Sequence, residues 1–198
     1  MKKTISEQIF EDFCAQNRVD FQRIPESSEK TPDYHIQIDG AAIAVEIKQL
    51  EKMSGFNTLG VSSRTVGSHV RKQISEARGQ MQSAAKVGIP SILLIHNATD
   101  PLQLFGTEQH DFICAMYGDL TIRIGLRDLR KSESFHGRNA KIRFDTNTSF
   151  SGVGHLKKDR AGVKITVYEN VYAAHPLPFD SLPSCIEVVR ITIEAAAD

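Results

Sequence analysis

The sequence has few cysteines and no long apolar run, and these two shortages exclude several classes of protein. It has 198 residues and only three cysteines, which are far apart: Cys14, Cys114 and Cys185. They form neither a zinc-ligand pair nor a disulfide framework, so we expect a cytoplasmic protein in a reducing compartment. The longest apolar stretch, residues 89–95, is far too short to span a bilayer, and residues 6–8 are polar where a signal peptide needs apolar side chains. We therefore expect no membrane association.

Several short catalytic motifs are also missing. No GxxxxGK[ST] segment occurs, so ATP use is not indicated, and no GxSxG segment supports a serine nucleophile. The seven histidines show neither HxxxH nor HxH spacing, which is against a histidine-based metal centre. His35 is the one histidine that we expect near a functional surface.

The formal net charge is zero, which argues against a protein that coats nucleic acid without specificity. The charges are unevenly distributed, however. Residues 120–143 carry seven basic and two acidic side chains, and residues 64–86 carry five basic and one acidic side chain, while carboxylates concentrate in the first 48 residues. An acidic corner beside basic flanks suits a metal site that holds a polyanion. For any single residue, a solvated charge is the plainer explanation.

The pattern of apolar and turn residues predicts the order α-β-β-β-α-β up to residue 96. Thr4 and Glu7 predict a capping box at the first helix, Asp39 and Gly40 a tight hairpin turn, and Gly88 the end of the second helix. The predicted helices span residues 4–17 and 66–87, the predicted strands residues 21–24, 34–38, 41–50 and 89–96, and the predicted loops residues 25–32 and 53–67.

The second half of the chain is predicted to be rich in strands. A helix is expected at residues 108–117, and strands at residues 121–126, 140–144, 149–156, 163–168 and 185–193. We predict a single α/β domain over residues 1–198, in which residues 1–100 form a core with a mixed sheet. Residues 101–198 are expected to form an α+β extension packed on that core.

The predicted hairpin separates apolar from polar side chains. If Asp39 and Gly40 are the turn residues, Asp33 lies opposite Glu46, and Lys48 points to the same side as Glu46. The other face carries only apolar or aromatic side chains, which suits a core: Tyr34, Ile36, Ile38, Ile43, Val45 and Ile47.

Asp33, Glu46 and Lys48 together suggest a metal site. Two carboxylates opposite one another on paired strands repel each other, and a divalent cation between them removes that repulsion. Oxygen-only ligation favours Mg²⁺ or Mn²⁺. The alternative is an ordinary amphipathic hairpin with a solvated polar face, which explains the small residues at positions 41, 42 and 44 less well than an open site does.

The segment Pro32-Asp33, followed after twelve residues by Glu46-Ile47-Lys48, resembles the signature of the PD-(D/E)xK nucleases. This superfamily includes restriction endonucleases and Holliday-junction resolvases, and its restriction-endonuclease-like core also has the order α-β-β-β-α-β. The resemblance covers residues 4–96, about half of the chain.

The resemblance implies a role for each matching residue. Asp33 and Glu46 would be the metal-binding carboxylates, the Ile47 carbonyl a further ligand and Lys48 the catalytic lysine. A further acid on the first helix would be Glu7 rather than Glu11, with a purely structural capping role as the equal alternative. On the second helix, Gln80 is preferred over Gln73.

The expected function is that of a Mg²⁺- or Mn²⁺-dependent endonuclease that hydrolyses nucleic acid, most simply DNA. Arg64, in the predicted loop after the active strand, would contact a phosphate. By analogy with other duplex-cutting enzymes, a homodimer is a further expectation. The competing hypothesis is a catalytically silent nuclease-like module that binds nucleic acid or a protein.

Overall fold

Three helices and a seven-stranded mixed sheet contain most of the residues that the computed structural model describes, which are 3–25, 28–51, 64–100, 103, 105–126 and 131–192. The helices are α1 (Ile5–Asn17), α2 (Ser68–Lys86) and α3 (Gln109–Tyr117). The strands are β1 (Asp20–Arg23), β2 (Tyr34–Ile38), β3 (Ala41–Leu50), β4 (Ser91–Asn97), β5 (Leu120–Ile124), β6 (Lys131–His136), β7 (Gly152–Asp159), β8 (Gly162–Glu169) and β9 (Ile186–Val189).

The large sheet has the strand order β1-β2-β3-β4-β7-β8-β9. Strands β1, β2 and β3 are antiparallel neighbours, β3, β4 and β7 run parallel, and β8 is antiparallel to β7 and parallel to β9. Because β7 pairs directly with β4, the two halves of the chain share one sheet. The fold is α/β with a mixed sheet, and its first six elements follow the predicted order α-β-β-β-α-β.

The helices form where their end signals predict. The Thr4 side chain accepts a hydrogen bond from the Glu7 amide while the Glu7 side chain accepts one from the Thr4 amide, so the capping box of α1 is confirmed. Helix α2 ends at Lys86, and Gly88 then adopts φ 77°, a left-handed conformation that suits glycine just after a helix.

The helices cover the two faces of the sheet separately. Phe10 and Phe13 of α1 pack on one face with Ile36, Val45 and Leu94. On the opposite face, α2 and α3 pack on alternate residues of the same strands, with one core made of Val70, Ile74, Ala77, Met81, Leu93, Ile95, Phe112, Ala115 and others. Every residue of β4 is buried, as expected for a central strand with both faces covered.

The prediction of a strand at residues 140–144 is wrong. This segment contains only an isolated bridge between Arg143 and Thr146, and strand β6 lies earlier, pairing with β5 in a separate two-stranded ribbon. The Lys131–His136 sequence has no apolar alternation, so periodicity gave no sign of it. Of the predicted loop at residues 53–67, residues 53–63 lie outside the described residues.

Two further observations concern the bulk properties. All three cysteines are free, with Cys14 and Cys114 buried. Within the described ranges, none of the helices combines the length and the apolar composition that a membrane crossing requires.

Candidate active site

The candidate site is built on the hairpin of β2 and β3. Asp39 and Gly40 both have positive φ, 47° and 79°, as a two-residue type I′ turn requires. The strands pair in the predicted register, with Tyr34 opposite Val45 and Ile38 opposite Ala41. The six predicted apolar residues of this hairpin all belong to the core that packs against α1.

Glu46 and Lys48 point to the opposite face, toward α2. In the parallel pairing of β3 with β4 they lie beside Leu93 and Ile95, whose side chains belong to the α2 core. Strand alternation therefore brings one carboxylate and one amine to the same side of β3, as the hairpin pattern predicts.

Asp33 lies one residue before β2 and is tied to the neighbouring strand. Its Oδ2 accepts a hydrogen bond from the Ile47 amide at 2.8 Å, which fixes the carboxylate beside β3. Burial raises the pKa of Asp33, and the Glu7 charge raises it further, while the Ile47 amide and the Lys48 ammonium lower it. Asp33 is thus close enough to Lys48 and Glu7 to respond to their charges.

Glu46 is the most unusual carboxylate in the site. The residue is 2% exposed, its Oε1 lies 2.7 Å from Lys48 Nζ, and its Oε2 is buried without a hydrogen-bond partner among the described residues. Burial is the main reason that its pKa rises to about 7, and the Asp33 charge is the second, while Lys48 and the Asp33 backbone amide lower it. A buried anionic oxygen with no donor is costly, so this position has room in its bonding for a cation.

Lys48 joins the two carboxylates electrostatically. Its side chain is 26% exposed, bonds Glu46 and lowers the pKa of both Asp33 and Glu46. The structure therefore brings together the three residues that the sequence pattern selected. The possible metal ligands among them are carboxylate oxygens, which Mg²⁺ and Mn²⁺ prefer.

Glu7 lies near this site, but both of its oxygens are already bonded. Oε2 accepts from the Thr4 amide at 2.6 Å and from the Thr4 hydroxyl at 2.9 Å, and Oε1 pairs with Arg23 at 2.6 Å. The structural capping role is therefore present. The competing candidate, Glu11, contacts Lys3 and the Tyr34 hydroxyl instead.

The two glutamines of α2 that were considered as site residues differ in burial. Gln73, the less favoured of the two, is buried. Gln80 is half-buried, and its Oε1 is a second buried acceptor without a partner in the described part of the chain. Gln80 thus stays a candidate for a polar contact on this helix.

Two predictions about the surroundings of the site differ from the structure. The Arg64 guanidinium is already engaged, because it forms a two-pronged ion pair with Asp111, with Nη2 at 3.1 Å from Oδ2, and stacks on the Phe105 ring. Of the three small residues expected to leave open space, Ala44 has no exposed surface, whereas Ala41 is exposed and Ala42 half-buried.

A second cluster of potential metal ligands was missed by the sequence reasoning. Glu108, His110 and Asp111 have ligand atoms within 4.8 Å of one another, and no other three His, Cys, Asp or Glu side chains of the described residues do so. Asp111 already accepts bonds from Arg64, the Gly67 amide and the Glu108 amide. The only sequence signal is the pair of acids at the start of α3, which also forms its cap.

Comparison with known proteins adds no assignment to this geometry. No family model, curated protein or solved structure matches the chain.

Proposed function

We propose that this protein is a metal-dependent phosphodiesterase that hydrolyses nucleic acid, with DNA as the preferred substrate. The observation that carries the proposal is Glu46 Oε2, a buried carboxylate oxygen without a donor, beside a second carboxylate whose charge raises the pKa of Glu46. An ordinary packing role for Glu46 gives no reason to leave that oxygen unbonded.

The residues present fit a divalent cation. Asp33 and Glu46 would hold it through their carboxylates, with the Ile47 carbonyl as a further oxygen ligand. Two anions repel each other in the free protein, and neutralising them relieves this repulsion. When bound, Mg²⁺ or Mn²⁺ lowers the pKa of a bound water and polarises the phosphodiester.

The side chains of this chain then have separate tasks. The Ile47 amide holds the Asp33 carboxylate in place, so its direction is set before any ligand arrives. Glu46 must lose its proton to act as a ligand, which its pKa of about 7 allows just above neutral pH. Lys48, partly open to solvent, can leave Glu46 and place its ammonium against the negative charge that grows on the phosphate.

Two sequence features support the same reaction class. The Pro32-Asp33 and Glu46-Ile47-Lys48 segments resemble the PD-(D/E)xK signature, and the order α-β-β-β-α-β is the order of that family's core. A nuclease of this kind has its acids and its lysine on the second and third strands, where Glu46 and Lys48 lie and Asp33 adjoins.

A plasmid assay tests the proposal. Supercoiled DNA is incubated with the protein in Mg²⁺ or Mn²⁺, beside Asp33→Asn and Lys48→Ala. The Asn side chain can still accept the Ile47 bond, so the fold is kept while the charge is lost. Asp145→Asn and Lys86→Ala are matched controls, because both residues are exposed and remote in sequence. We expect both site variants to slow nicking about 10²–10³-fold, and both controls to cleave as the wild type does.

The same assay distinguishes the nuclease from a second candidate function, a silent nuclease-like module. That candidate is favoured by one observation: Lys48 already neutralises Glu46 without a metal, at 2.7 Å. Cleavage that does not need a divalent cation, or that persists equally in both site variants, would contradict the nuclease. Binding of nucleic acid with no cleavage in either metal would support the silent module.

A further inference from the structure

A polar groove lies on the other side of α2 from β3. It has a volume of about 450 Å³ and runs between the N-terminal half of α2 and the segment that follows the ribbon. Apart from Ala140 its lining is polar or charged: Thr65, Ser68, Arg71, Lys72, Ser75, Asn139 and Lys141. The groove is lined by parts of both basic stretches of the sequence, within residues 65–75 and 139–141, and none of these residues belongs to the proposed active site.

Arg71 holds the walls of this groove together. The residue is buried, and its guanidinium donates to the carbonyls of Val66 at 2.7 Å, Cys114 at 2.9 Å and Asn139 at 3.1 Å, and pairs with the Asp119 carboxylate. All of these partners come from different segments. Arg71 therefore holds the segments that form the groove in position before any ligand binds. The Asp119 carboxylate balances its positive charge.

Two lysines remain to attract an anion. Lys72 is largely exposed and has only a distant partner, Glu76 at 3.8 Å, while Lys141 pairs with no carboxylate in the described ranges. Asp119, the acid that pairs with Arg71, is also held by the Asn139 side-chain amide. The hydroxyls of Thr65 and Ser68 add neutral donors beside the lysines. Ammonium groups with hydroxyls are a common set of donors for backbone phosphates.

We propose that this groove binds a backbone phosphate of the nucleic acid, away from the bond that is cleaved. The inference rests on the proposed function for the identity of the polyanion. Helix α2 packs against β3, which carries Glu46 and Lys48, and lines the groove with Lys72. A helix is about 10–12 Å wide, so a strand that rises about 3.4 Å per nucleotide crosses it in three or four nucleotides.

A binding titration without divalent cation tests the groove separately from catalysis. Fluorescence anisotropy of a labelled 20-base-pair duplex is measured over a salt series for wild type and for the double variant Lys72→Ala/Lys141→Ala. The control is Lys86→Ala/Lys158→Ala, which removes the same charge from exposed positions outside the groove. We expect the groove variant to reduce the slope of log K against log salt by about 1 per lysine, equally for unrelated sequences, and the control to leave it unchanged.

The outcomes separate this inference from the proposed function. Equal slopes for the groove and control variants, or no binding of the duplex by the wild type, would overturn the groove assignment. A wild type that binds with the expected slope but does not cleave in Mg²⁺ or Mn²⁺ would contradict the nuclease and leave the groove standing. If the wild type cleaves DNA but the salt slope does not change when Lys72 and Lys141 are replaced, the nuclease proposal stands and the groove assignment is contradicted.

Discussion

Two buried carboxylates of this protein, Asp111 and Glu46, have opposite surroundings. Asp111 has no exposed surface, and its oxygens accept bonds from Arg64, the Gly67 amide and the Glu108 amide. Glu46 is almost as deeply buried, but one of its oxygens has no hydrogen-bond donor, and the charge of Asp33 repels its ionised form. Burial is therefore the same in the two places, and the bonding differs.

The comparison shows why closeness of acids is a weak criterion for a metal site. The Glu108, His110 and Asp111 side chains meet a distance criterion, yet Asp111 is already neutralised by an arginine and fixes the ends of α2 and α3. The Asp33 and Glu46 pair has fewer groups, and although Lys48 bonds one Glu46 oxygen, the other oxygen of Glu46 has no hydrogen-bond donor among the described residues. We therefore expect a cation to stabilise the Asp33 and Glu46 site more than the Glu108, His110 and Asp111 cluster.

The largest expected difference is in folding stability. Asp111→Asn leaves the partly buried Arg64 without its counter-charge, so we expect it to lower the free energy of unfolding by about 3 kcal/mol. Glu46→Gln, a matched change of one acid to its amide, removes a buried charge that repels Asp33 and has one oxygen without a donor, so no loss is expected at pH 7.5. Urea denaturation with a chelator present measures both. Equal losses would make Glu46 a structural carboxylate like Asp111.

The second prediction concerns pH. The folded-state pKa of Glu46 is raised from 4.5 to about 7, so the stability contributed by its protonated form is fully present below pH 4.5 and is lost as the pH rises to 7. The loss amounts to about 3 kcal/mol at 1.36 kcal/mol per pKa unit. Metal-free urea titrations at several pH values measure the free energy of unfolding of the wild type and of Glu46→Gln. We expect the difference between the two proteins to show this loss between pH 4.5 and 7.

Added Mn²⁺ provides the check on that pH effect. Because the cation needs the ionised carboxylate, it should raise the melting temperature of the wild type above pH 7 and have no such effect on Glu46→Gln. A melting temperature that responds to Mn²⁺ equally in both proteins would place the cation elsewhere.

The smallest effect is expected at Glu7. Glu7→Gln keeps an oxygen for the Thr4 amide but loses the charge that pairs with Arg23. We expect cleavage to fall less than tenfold and stability to fall by less than about 1 kcal/mol, the usual size of a partly exposed ion pair. A loss of cleavage as large as that of Asp33→Asn would show that Glu7 acts as a third carboxylate at the metal.

The hairpin and the side chains on each of its faces were predictable because local rules determine them. The Asp39-Gly40 turn fixes the register, the register fixes which face each side chain takes, and the capping box fixes where α1 begins. These signals lie within a few residues of one another, and a single sequence contains all of them.

Contacts between distant segments were not predictable in the same way. The Arg64 partner is 47 residues away and the Arg71 partners reach 68 residues along the chain. Nothing in the local sequence around Arg64 distinguishes an arginine that binds a phosphate from one that binds a buried aspartate. Strand β6 was missed for a related reason. It is defined by its pairing with β5, and its own sequence shows no alternation of apolar and polar residues.

The two-residue turn has a consequence for how this chain tolerates change in length. Side chains in a strand alternate between faces, so one residue inserted between Asp39 and Gly40 would rotate the whole of β3 by half a period if its pairing partners held. Glu46 and Lys48 would then point into the hydrophobic core between α1 and the sheet, and Val45 and Ile47 would take their places on the side of α2. The proposed chemistry therefore depends on the length of a turn that touches none of the proposed site residues, whereas an insertion before Asp33 would leave the pairing of β2 with β3 unchanged.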